Sequence, residues 1–373
     1  MKTNNNIPAY RFQGYTDAWE LRKIFEIADR FNNLRVPITS SLRIPGSTPY
    51  YGANGIQDYV EGFTHNGEFV LIAEDGANDL KNYPVNLVNG KIWVNNHAHV
   101  LQGKENITNN NFLAYSINRA NIEALLVGGG RAKLNSDVLM NIELEIPSLK
   151  EQKAIGTFFS TLDQQITLHQ RKLDTLKEQK KTYLKLLFPA KGQTKPALRF
   201  QGFEDDWEEV KLGELCDIRT GKLDANAMVE NGEYDFYTSG IKKYRIDVAE
   251  FEGPAITIAG NGATVGYMHL ADGKFNAYQR TYVLTNFKVD RRYIFSEIAK
   301  KLPIKIQQEA RTGNIPYIVL SMLTELSISL PSLPEQKAIG TFFQTLDQEI
   351  AQVEDKLASL KEMKKTLLRK LFV

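Results

Sequence analysis

Three things that the sequence has little of narrow the possible functions. Its 373 residues include one cysteine, Cys216, so the chain cannot build an internal disulfide framework or a cysteine-rich zinc site, which fits a reducing cytoplasm. It contains no run of about 18 apolar residues that could cross a membrane, and its first residues lack the apolar segment of a signal peptide. We therefore expect a cytoplasmic protein without a membrane partner.

A strong excess of either charge is also missing. The 46 Lys and Arg residues face 44 Asp and Glu residues, which gives a formal net charge of +2. This balance neither supports nor excludes a nucleic-acid partner, because a local basic groove would be hidden in the total. The length allows two or three domains, and 42% apolar and 24% charged residues are ordinary for a globular protein.

Motifs of three kinds of enzyme are absent too. The sequence has no Asn/Asp-Pro-Pro-Tyr/Phe motif of the kind that holds an extruded base in DNA amino-methyltransferases. It has no G-x-x-x-x-G-K-S/T loop for ATP, and no acidic cluster near a lysine suggests a nuclease. A self-sufficient methyltransferase or nuclease is therefore disfavoured, and we expect no catalytic residue and no cofactor in this chain.

What the sequence does contain is one long segment written twice. Residues 151–188 return as residues 335–372, and 25 of the 38 aligned positions are identical. In both copies apolar residues recur every three or four positions, which is typical of the buried seam of a coiled coil. The seam comprises Ile155, Phe159, Leu162, Ile166, Leu173, Leu176, Ile339, Phe343, Leu346, Ile350, Val353, Leu357 and Leu360.

Each copy would form a helix of roughly 57 Å at about 1.5 Å per residue. A lone helix of that length cannot bury its seam, and its twin is the obvious partner. His169, Lys180 and Lys364 interrupt the seam, and a polar residue at such a position usually sets register or orientation. We expect the two helices to pack antiparallel with pseudo-two-fold symmetry.

The repeat extends beyond these helices. Arg-Phe-Gln-Gly at residues 11–14 returns at residues 199–202, and residues 71–76 align with residues 257–262, yet the segments between such anchors barely match. The segment 189–197 has the Pro, Gly and Lys of an exposed linker. Turn residues bound short β-prone runs, and helical patterns follow. The predicted strands are 68–73, 91–94, 255–259 and 281–285, and the predicted short helices are 111–126 and 291–301.

These motifs resemble the specificity subunit of type I restriction-modification enzymes. The resemblance rests on Arg-Phe-x-Gly-Phe-x-Asp-x-Trp-Glu at residues 199–208, with a weaker form at 11–20. It rests also on Pro-Ser-Leu-x-Glu-Gln-Lys-Ala-Ile, within residues 142–155 and 328–339, followed each time by a Lys-rich helix. The pattern covers nearly the whole chain. It departs at Lys150, where a second proline is expected, and in the first module, which lacks the Leu-Gly-Glu-Leu of residues 212–215.

The resemblance implies an α+β fold with two strand-rich, mixed α/β target-recognition domains, separated and joined by two long antiparallel coiled-coil helices. The expected order is target-recognition domain 1, first spacer helix, linker, target-recognition domain 2 and second spacer helix, at residues 1–148, 149–188, 189–197, 198–332 and 333–373. Each domain would read one half of an asymmetric bipartite site in double-stranded DNA, and the helices would set the spacer and dock the partners. The alternative is a coiled-coil scaffold that assembles proteins without reading DNA.

The resemblance also implies partners that do the chemistry. These are two modification subunits, which carry S-adenosylmethionine and methylate adenine, and restriction subunits, which carry ATP-driven, Mg-dependent translocation and cleavage. Polar and basic loops of both modules have residue types that suit base edges and phosphates. The candidate DNA-binding residues are Tyr51, Asn54, Asn95, Asn96, His97, Arg131 and Lys133 in the first module, and Thr238, Ser239, Lys242, Lys243, Asn261, Tyr278, Gln279, Arg280, Arg311, Thr312 and Asn314 in the second.

Two further patterns could be either functional sites or ordinary structural features. His97 and His99 would share one face of a strand, but zinc needs more ligands and none is obvious, so we expect no metal. The Gly-rich residues 260–266 follow a predicted strand as a nucleotide-binding loop would, but such a loop needs a helix after it. Because residues 267–270 read as another strand, we expect a tight β-turn there.

Overall fold

A computed structural model of the chain describes residues 6–128, 132–309 and 316–372. It divides into two units, and each contains one module with parts of both long helices. Unit 1 is Met1–Gln170 with Lys356–Val373, and unit 2 is Arg171–Asp355. The α+β fold class, with two related strand-rich modules and two long helices, is confirmed. Within the described part of the chain, no helix is apolar over a length that would cross a membrane.

Unit 1 is built on a six-stranded sheet. Its elements are β1 (Glu20–Lys23), α1 (Ile24–Ile27), β2 (Ala28–Arg30), β3 (Pro45–Gly52), β4 (Gly55–Val60), β5 (His65–Ala73), β6 (Val85–Val94), β7 (Ala98–Gly103), α2 (Asn110–Arg119), α3 (Ser136–Met140), β8 (Glu143–Ile146) and the first long helix α4 (Leu149–Leu186), which continues into unit 2. The sheet order is β2-β7-β5-β6-β3-β4, and β1 pairs separately with β8. Only the β3–β6 pairing among these described strands is parallel.

Unit 2 divides its strands between two four-stranded sheets. Its elements are β9 (Glu208–Lys211), α5 (Leu212–Leu215), β10 (Asp217–Thr220), β11 (Tyr234–Tyr237), β12 (Tyr244–Ile246), β13 (Phe251–Glu252), β14 (Ala255–Ala259), β15 (Met268–Ala271), β16 (Lys274–Ala277), β17 (Thr281–Thr285), α6 (Arg291–Glu309), α7 (Leu320–Thr324), β18 (Ser327–Leu330) and the second long helix α8 (Leu333–Lys370), which ends in unit 1. The sheet orders are β10-β17-β14-β15 and β12-β11-β16-β13, and β9 pairs with β18.

The opening of both modules has the same local structure. Strand β1 and helix α1 recur as β9 and α5 at an offset of 188 residues. The first module forms this short helix although it lacks Leu-Gly-Glu-Leu. What the two segments share is an apolar residue at each end, and all four are buried: Ile24, Ile27, Leu212 and Leu215.

The predicted elements are largely present, with two corrections. The four predicted strands lie within β5, β6, β14 and β17. The helix predicted at 111–126 is wrong in its second half, because Ala120 is extended and ends α2, and a short 3-10 turn (Ile122–Leu125) follows. The helix predicted at 291–301 continues to Glu309 through Pro303. Pro303 removes one helical hydrogen bond, but Leu302 on the same turn is buried in the core and holds the helix in place.

The repeated Glu-Gln at the start of each long helix ties that helix to its module. Arg11 in unit 1 donates two hydrogen bonds of 2.7 Å to the carboxylate of Glu151. In unit 2 Arg199 makes the same pair of 2.7 Å bonds to Glu335. Both glutamates are buried. The Arg-Phe-x-Gly opening and the Glu-Gln ending of a module therefore meet as a fork-shaped ion pair.

The residues that follow in the motif pack each long helix against the N-terminus of a shorter helix of the same module. Gln336 accepts a hydrogen bond from the Asp290 amide at 3.0 Å, and its side-chain amide donates to the Pro331 carbonyl at 2.8 Å. A Cβ placed on Gly340 would lie 2.7 Å from Asp290 Oδ1 and 2.8 Å from the Tyr293 amide nitrogen. Gly340 is thus glycine because the N-terminus of α6 packs on the backbone of α8. Gln152 and Gly156 repeat the arrangement in unit 1.

We expect Gly340→Ala to destabilise the protein by about 1–3 kcal/mol, because the added methyl overpacks a contact with backbone. The sign is informative, since alanine in an ordinary helix interior is more stable than glycine by roughly 1 kcal/mol. Denaturant unfolding of the full chain measures the effect. Thr341→Ala, at the exposed neighbouring position, is the control and should change stability by less than about 0.5 kcal/mol. A stabilised Gly340→Ala variant would contradict the close approach.

In each unit the two long helices run antiparallel. In unit 1 Phe372 contacts Phe159, and Lys364 Nζ lies 2.5 Å from Asp163 Oδ1. Unit 2 repeats both contacts 184 residues away, since Phe188 packs against Phe343 and Lys180 pairs with Asp347 at 2.5 Å. Two of the three polar interruptions of the seam are therefore ion-paired across the helices.

The seam positions are buried at the same interfaces. Ile166 and Ile350 are half-buried, and the remaining seam residues are at most 9% exposed. The far end of each helix also enters a module core. Phe372 packs on Trp19 and Phe112, while Phe188 packs on Trp207 and Tyr293.

Candidate nucleic-acid interface

Loops that are distant in the sequence of the first module meet at one edge of its sheet. Three backbone hydrogen bonds join them. The amide of Asn95 donates to the Tyr51 carbonyl at 3.0 Å, and the amide of Glu74 donates to the His97 carbonyl at 2.8 Å. The amide of Leu134 donates to the Glu74 carbonyl at 2.7 Å. Four chain segments are thereby held side by side.

The second module joins its loops by the same three bonds. The amide of Tyr278 donates to the Tyr237 carbonyl at 2.9 Å, and the amide of Gly260 donates to the Arg280 carbonyl at 2.9 Å. The amide of Ile318 donates to the Gly260 carbonyl at 2.7 Å. Since each bond has a counterpart 183–186 residues earlier, the two loop clusters share one backbone framework. We call them rim 1 (residues 51–57, 74–78, 95–97 and 132–134) and rim 2 (residues 237–243, 260–267, 278–280 and 316–318).

The side chains of two asparagines in rim 1 form hydrogen bonds with backbone groups of the same rim. Asn54 donates to the Gly76 carbonyl and accepts from the Asn78 amide, both at 2.9 Å. Asn95 is buried and accepts from the His97 amide at 2.8 Å. Asn96, between Asn95 and His97, is exposed. Tyr51 is half-buried, and burial raises the pKa of its hydroxyl. Asn54 and Asn95 therefore shape the loops that carry Asn96 and His97.

A half-buried carboxylate organises the charges of rim 1. Glu74 lies 2.7 Å from Arg35 Nη1, 3.0 Å from Lys133 Nζ and 3.5 Å from His99 Nδ1. Burial alone would raise the pKa of Glu74, but the hydrogen bonds from Arg35 and Lys133 outweigh it and lower that pKa below 4.5. The neighbouring Asp75 is paired with His97 Nδ1. Rim 1 thus matches each of these basic groups with an acidic partner.

His97 and His99 do not form a shared metal site, because each imidazole has its own hydrogen-bond partners. His99 is fully buried, and its Nε2 lies 2.8 Å from the Leu134 carbonyl while its Nδ1 lies 2.9 Å from Asn32 Nδ2. Within residues 6–128, 132–309 and 316–372, no group of three or more His, Cys, Asp or Glu side chains could hold a metal ion. His99 is therefore explained as a hydrogen-bonded core residue.

Acid is expected to destabilise the protein from about pH 6.5 downward, because burial lowers the pKa of His65, His99 and His269 below their ordinary value of 6.5. The unfolded chain binds protons at these side chains below that pH, whereas the folded chain resists them. Stability is therefore complete above the unfolded pKa and falls as the pH is lowered through the window beneath it.

Thermal unfolding midpoints between pH 7.5 and pH 5 measure this dependence. His99→Gln should flatten it, since one proton-binding difference is removed. His169→Gln is the control, because that imidazole is half-buried on the surface of α4 and its Nδ1 lies 2.8 Å from the carbonyl of Gln165, one helical turn earlier. A midpoint that does not change between pH 7 and pH 5 would contradict the assignment.

Rim 2 uses hydroxyl and amide groups where rim 1 uses acids. Ser239 Oγ donates to Asn261 Oδ1 at 2.6 Å, and the Thr264 hydroxyl bonds the Ser239 carbonyl. Thr238 is buried beside them. Residues 260–267 link β14 to the antiparallel β15, so the prediction that a strand follows this Gly-rich segment is confirmed. The link contains a β-turn, in which the Val265 amide donates to the Gly262 carbonyl at 3.1 Å, but it is longer than a single tight turn.

The basic side chains of rim 2 are exposed. Lys242 Nζ lies 5.3 Å from the centre of the Tyr244 ring, and Lys243 Nζ lies 5.4 Å from that of Tyr237. Arg280 is exposed, and its guanidinium contacts no partner among the residues that the structure describes. This rim therefore presents positive charge to solvent, next to Gln279, whose amide lies 3.4 Å from Asp224 Oδ2.

The structure thus gathers most of the candidate DNA-binding residues into two surfaces. Those on rim 1 are Tyr51, Asn54, Asn95, Asn96, His97 and Lys133, and those on rim 2 are Thr238, Ser239, Lys242, Lys243, Asn261, Tyr278, Gln279 and Arg280. Arg131, Arg311, Thr312 and Asn314 lie outside the described residues. Contact with DNA remains a prediction for all of them.

Sequence reasoning missed the acidic residues of rim 1. Glu74 and Asp75 pair with four basic side chains, yet neither was a candidate. The alignment of residues 71–76 with 257–262 was the available signal, since it places Glu74 and Asp75 opposite Gly260 and Asn261 at the end of a buried strand.

Comparison with known proteins gives consistent matches. A family profile described as the type I restriction modification DNA specificity domain matches residues 16–178 and again residues 204–362. A Haemophilus influenzae protein described as a type I restriction enzyme specificity subunit is 32% identical over 94% of each chain. The specificity subunit of the type I restriction enzyme EcoDI of Escherichia coli is 38% identical over 44% of this chain and 36% of its own.

A solved structure has the same fold. The crystal structure of a type I restriction-modification system S subunit from M. genitalium superposes with a TM-score of 0.81 at 19% identity. The match covers 98% of this chain and 99% of that one.

Proposed function

Because this chain belongs to the family of type I restriction-modification DNA specificity proteins, we propose that its two modules read the two unlike halves of one bipartite DNA site. The observation that carries this proposal is the pair of rims. They share three backbone hydrogen bonds and differ in almost every exposed side chain. One framework with two side-chain sets is what two different half-sites require.

The two rims have the chemistry of base and phosphate contacts. Asn and Gln side chains can pair with adenine, Arg and Lys can pair with guanine, and basic groups also contact phosphates. We assign the reading to target-recognition domains at residues 1–148 and 198–332, joined through residues 189–197. The exposed Asn96, Lys242 and Arg280 are the side chains that reach outward, while Asn54, Asn95 and Thr238 support them.

The long helices, at residues 149–188 and 333–373, set the separation of the two half-sites in this proposal. Each has 38 helical residues, about 57 Å at 1.5 Å per residue, and one turn of DNA is about 34 Å. Their exposed faces would dock two modification subunits, which bring S-adenosylmethionine. Restriction subunits would bring ATP and Mg-dependent cleavage. The chain itself supplies sequence choice and no catalysis.

Selection of duplexes from a random pool tests this function. The chain, assembled with its modification subunits, is incubated with the pool at several salt concentrations, and the retained duplexes are sequenced. We expect one split motif with unlike halves, and an affinity that falls steeply and linearly with the logarithm of salt concentration. A coiled-coil scaffold that does not read DNA would retain no motif at any salt concentration, and this result would refute the proposal.

A further inference from the structure

We infer that residues 97 and 280 are the positions at which the two rims choose a base, with Asp75 as the positioning residue of His97. The inference rests on the proposed function and names the contacts within it. Both residues occupy the same place in the framework, since the carbonyl of each accepts a hydrogen bond from the residue directly after the buried strand β5 or β14, Glu74 or Gly260. The two positions differ in side chain, as a specificity position must between unlike half-sites.

Most other polar side chains on the rims are already engaged with their own module. Asn54 and Asn95 bond backbone groups, and Lys133 pairs with Glu74. On rim 2, Ser239 and Asn261 bond each other. At positions 97 and 280, by contrast, hydrogen-bonding atoms remain without a partner among the described residues, so these positions can bind a base edge without breaking an existing contact.

The pairing of His97 fixes what that residue can recognise. Its side chain is 36% exposed, and Nδ1 faces a carboxylate oxygen of Asp75. A carboxylate only accepts hydrogen bonds, so Nδ1 carries a hydrogen, and whenever the ring is neutral Nε2 is left as an acceptor. In the major groove an acceptor matches the amino groups of adenine N6 or cytosine N4. Rim 1 therefore selects a base with an exocyclic amino group at this position.

Arg280 carries the opposite preference. An exposed guanidinium without an acidic partner is free to donate two parallel hydrogen bonds, and guanine O6 and N7 accept them. Asn261 occupies the position that Asp75 has in rim 1. It accepts a hydrogen bond from Ser239 and does not contact the Arg280 guanidinium. Rim 2 therefore selects guanine at the position that Arg280 reaches.

Base-substitution profiles of the assembled complex test the inference. Every base pair of the selected motif is replaced in turn, and affinity is measured for wild type, Arg280→Ala, His97→Ala and Asp75→Asn. We expect Arg280→Ala to lower the preference for guanine at one base pair of one half-site by about tenfold to a hundredfold. His97→Ala and Asp75→Asn should lower the preference for adenine or cytosine at one base pair of the other half-site.

Two controls separate base reading from a loss of charge or of folding. Lys274→Ala removes an exposed cation of β16 away from rim 2, and His169→Ala removes a histidine of α4 away from rim 1. Neither should change any profile. Asp75→Asn should leave the thermal midpoint and the affinity for random DNA unchanged. If Asp75 were purely structural, its replacement would instead lower these two quantities and would not alter one base preference.

Several results would overturn the inference. They are unaltered profiles, losses spread evenly over all base pairs, or guanine preferred opposite His97. Failure of the proposed function looks different, because the wild-type complex would then select no motif at all.

Discussion

Glu335→Ala is expected to lower the free energy of unfolding by about 3–5 kcal/mol, because it leaves a largely buried guanidinium without its partner. Glu335 is fully buried, and Arg199 is 15% exposed. Two hydrogen bonds of 2.7 Å join them. The pair also holds the opening of the second module on the start of α8, so its loss should loosen the module as well as expose a charge.

Denaturant unfolding of the full chain measures this loss, and two variants calibrate it. Replacing both partners with apolar residues, Arg199→Met with Glu335→Leu, should recover most of the stability, since no charge is then buried alone. Glu354→Ala removes the exposed pair with Lys177, which joins the two helices at 2.7 Å, and should cost less than about 1 kcal/mol. Equal losses from Glu335→Ala and Glu354→Ala would contradict the account.

Removing one heptad from both long helices is expected to change the DNA spacer while both half-sites stay the same. Deletion of residues 164–170 and of their counterparts 348–354 preserves the Lys364–Asp163 and Lys180–Asp347 pairs. Seven residues shorten each helix by about 10.5 Å, roughly three base pairs of DNA. The shift also alters the phase of the modules on the duplex, so the original target should be bound at least about tenfold more weakly.

The single deletion of residues 164–170 is the matched comparison. It moves Lys180 and Phe188 by about 10.5 Å along α4, away from their partners Asp347 and Phe343. We expect this variant to be unstable or unable to assemble. Motif selection on the double deletion then decides the role of the helices. An unchanged spacer with intact binding would show that they do not set the half-site separation.

The long helices could be predicted from the sequence because their signal is local. A seam repeated every three or four residues, present in two nearly identical copies, specifies both the helix and its partner. Even the polar interruptions at Lys180 and Lys364 indicated register, and each is ion-paired across the helices. The prediction ended α6 at residue 301, two residues before Pro303, whereas tertiary packing of Leu302 carries the helix through that turn to Glu309.

The residue types of the candidate site could be predicted from the sequence, but the burial and contacts of those residues could not. Loops rich in Asn, Lys and Arg pointed to segments that the structure brings together, but residue type alone could not show that Asn95 is buried or that Lys133 is ion-paired with Glu74. Such contacts join residues far apart in the chain, as in the pair of Arg11 and Glu151, which are separated by 140 positions. No periodicity encodes them.

Base-resolution mapping of methylated DNA from cells that express this chain with its modification subunits tests the central claim most directly. The account predicts that the modified bases fall within one split motif, whose two unlike halves are separated by a spacer of fixed length and free sequence. Methylation in two identical halves, or a stable complex that leaves no site-specific methylation, would contradict it.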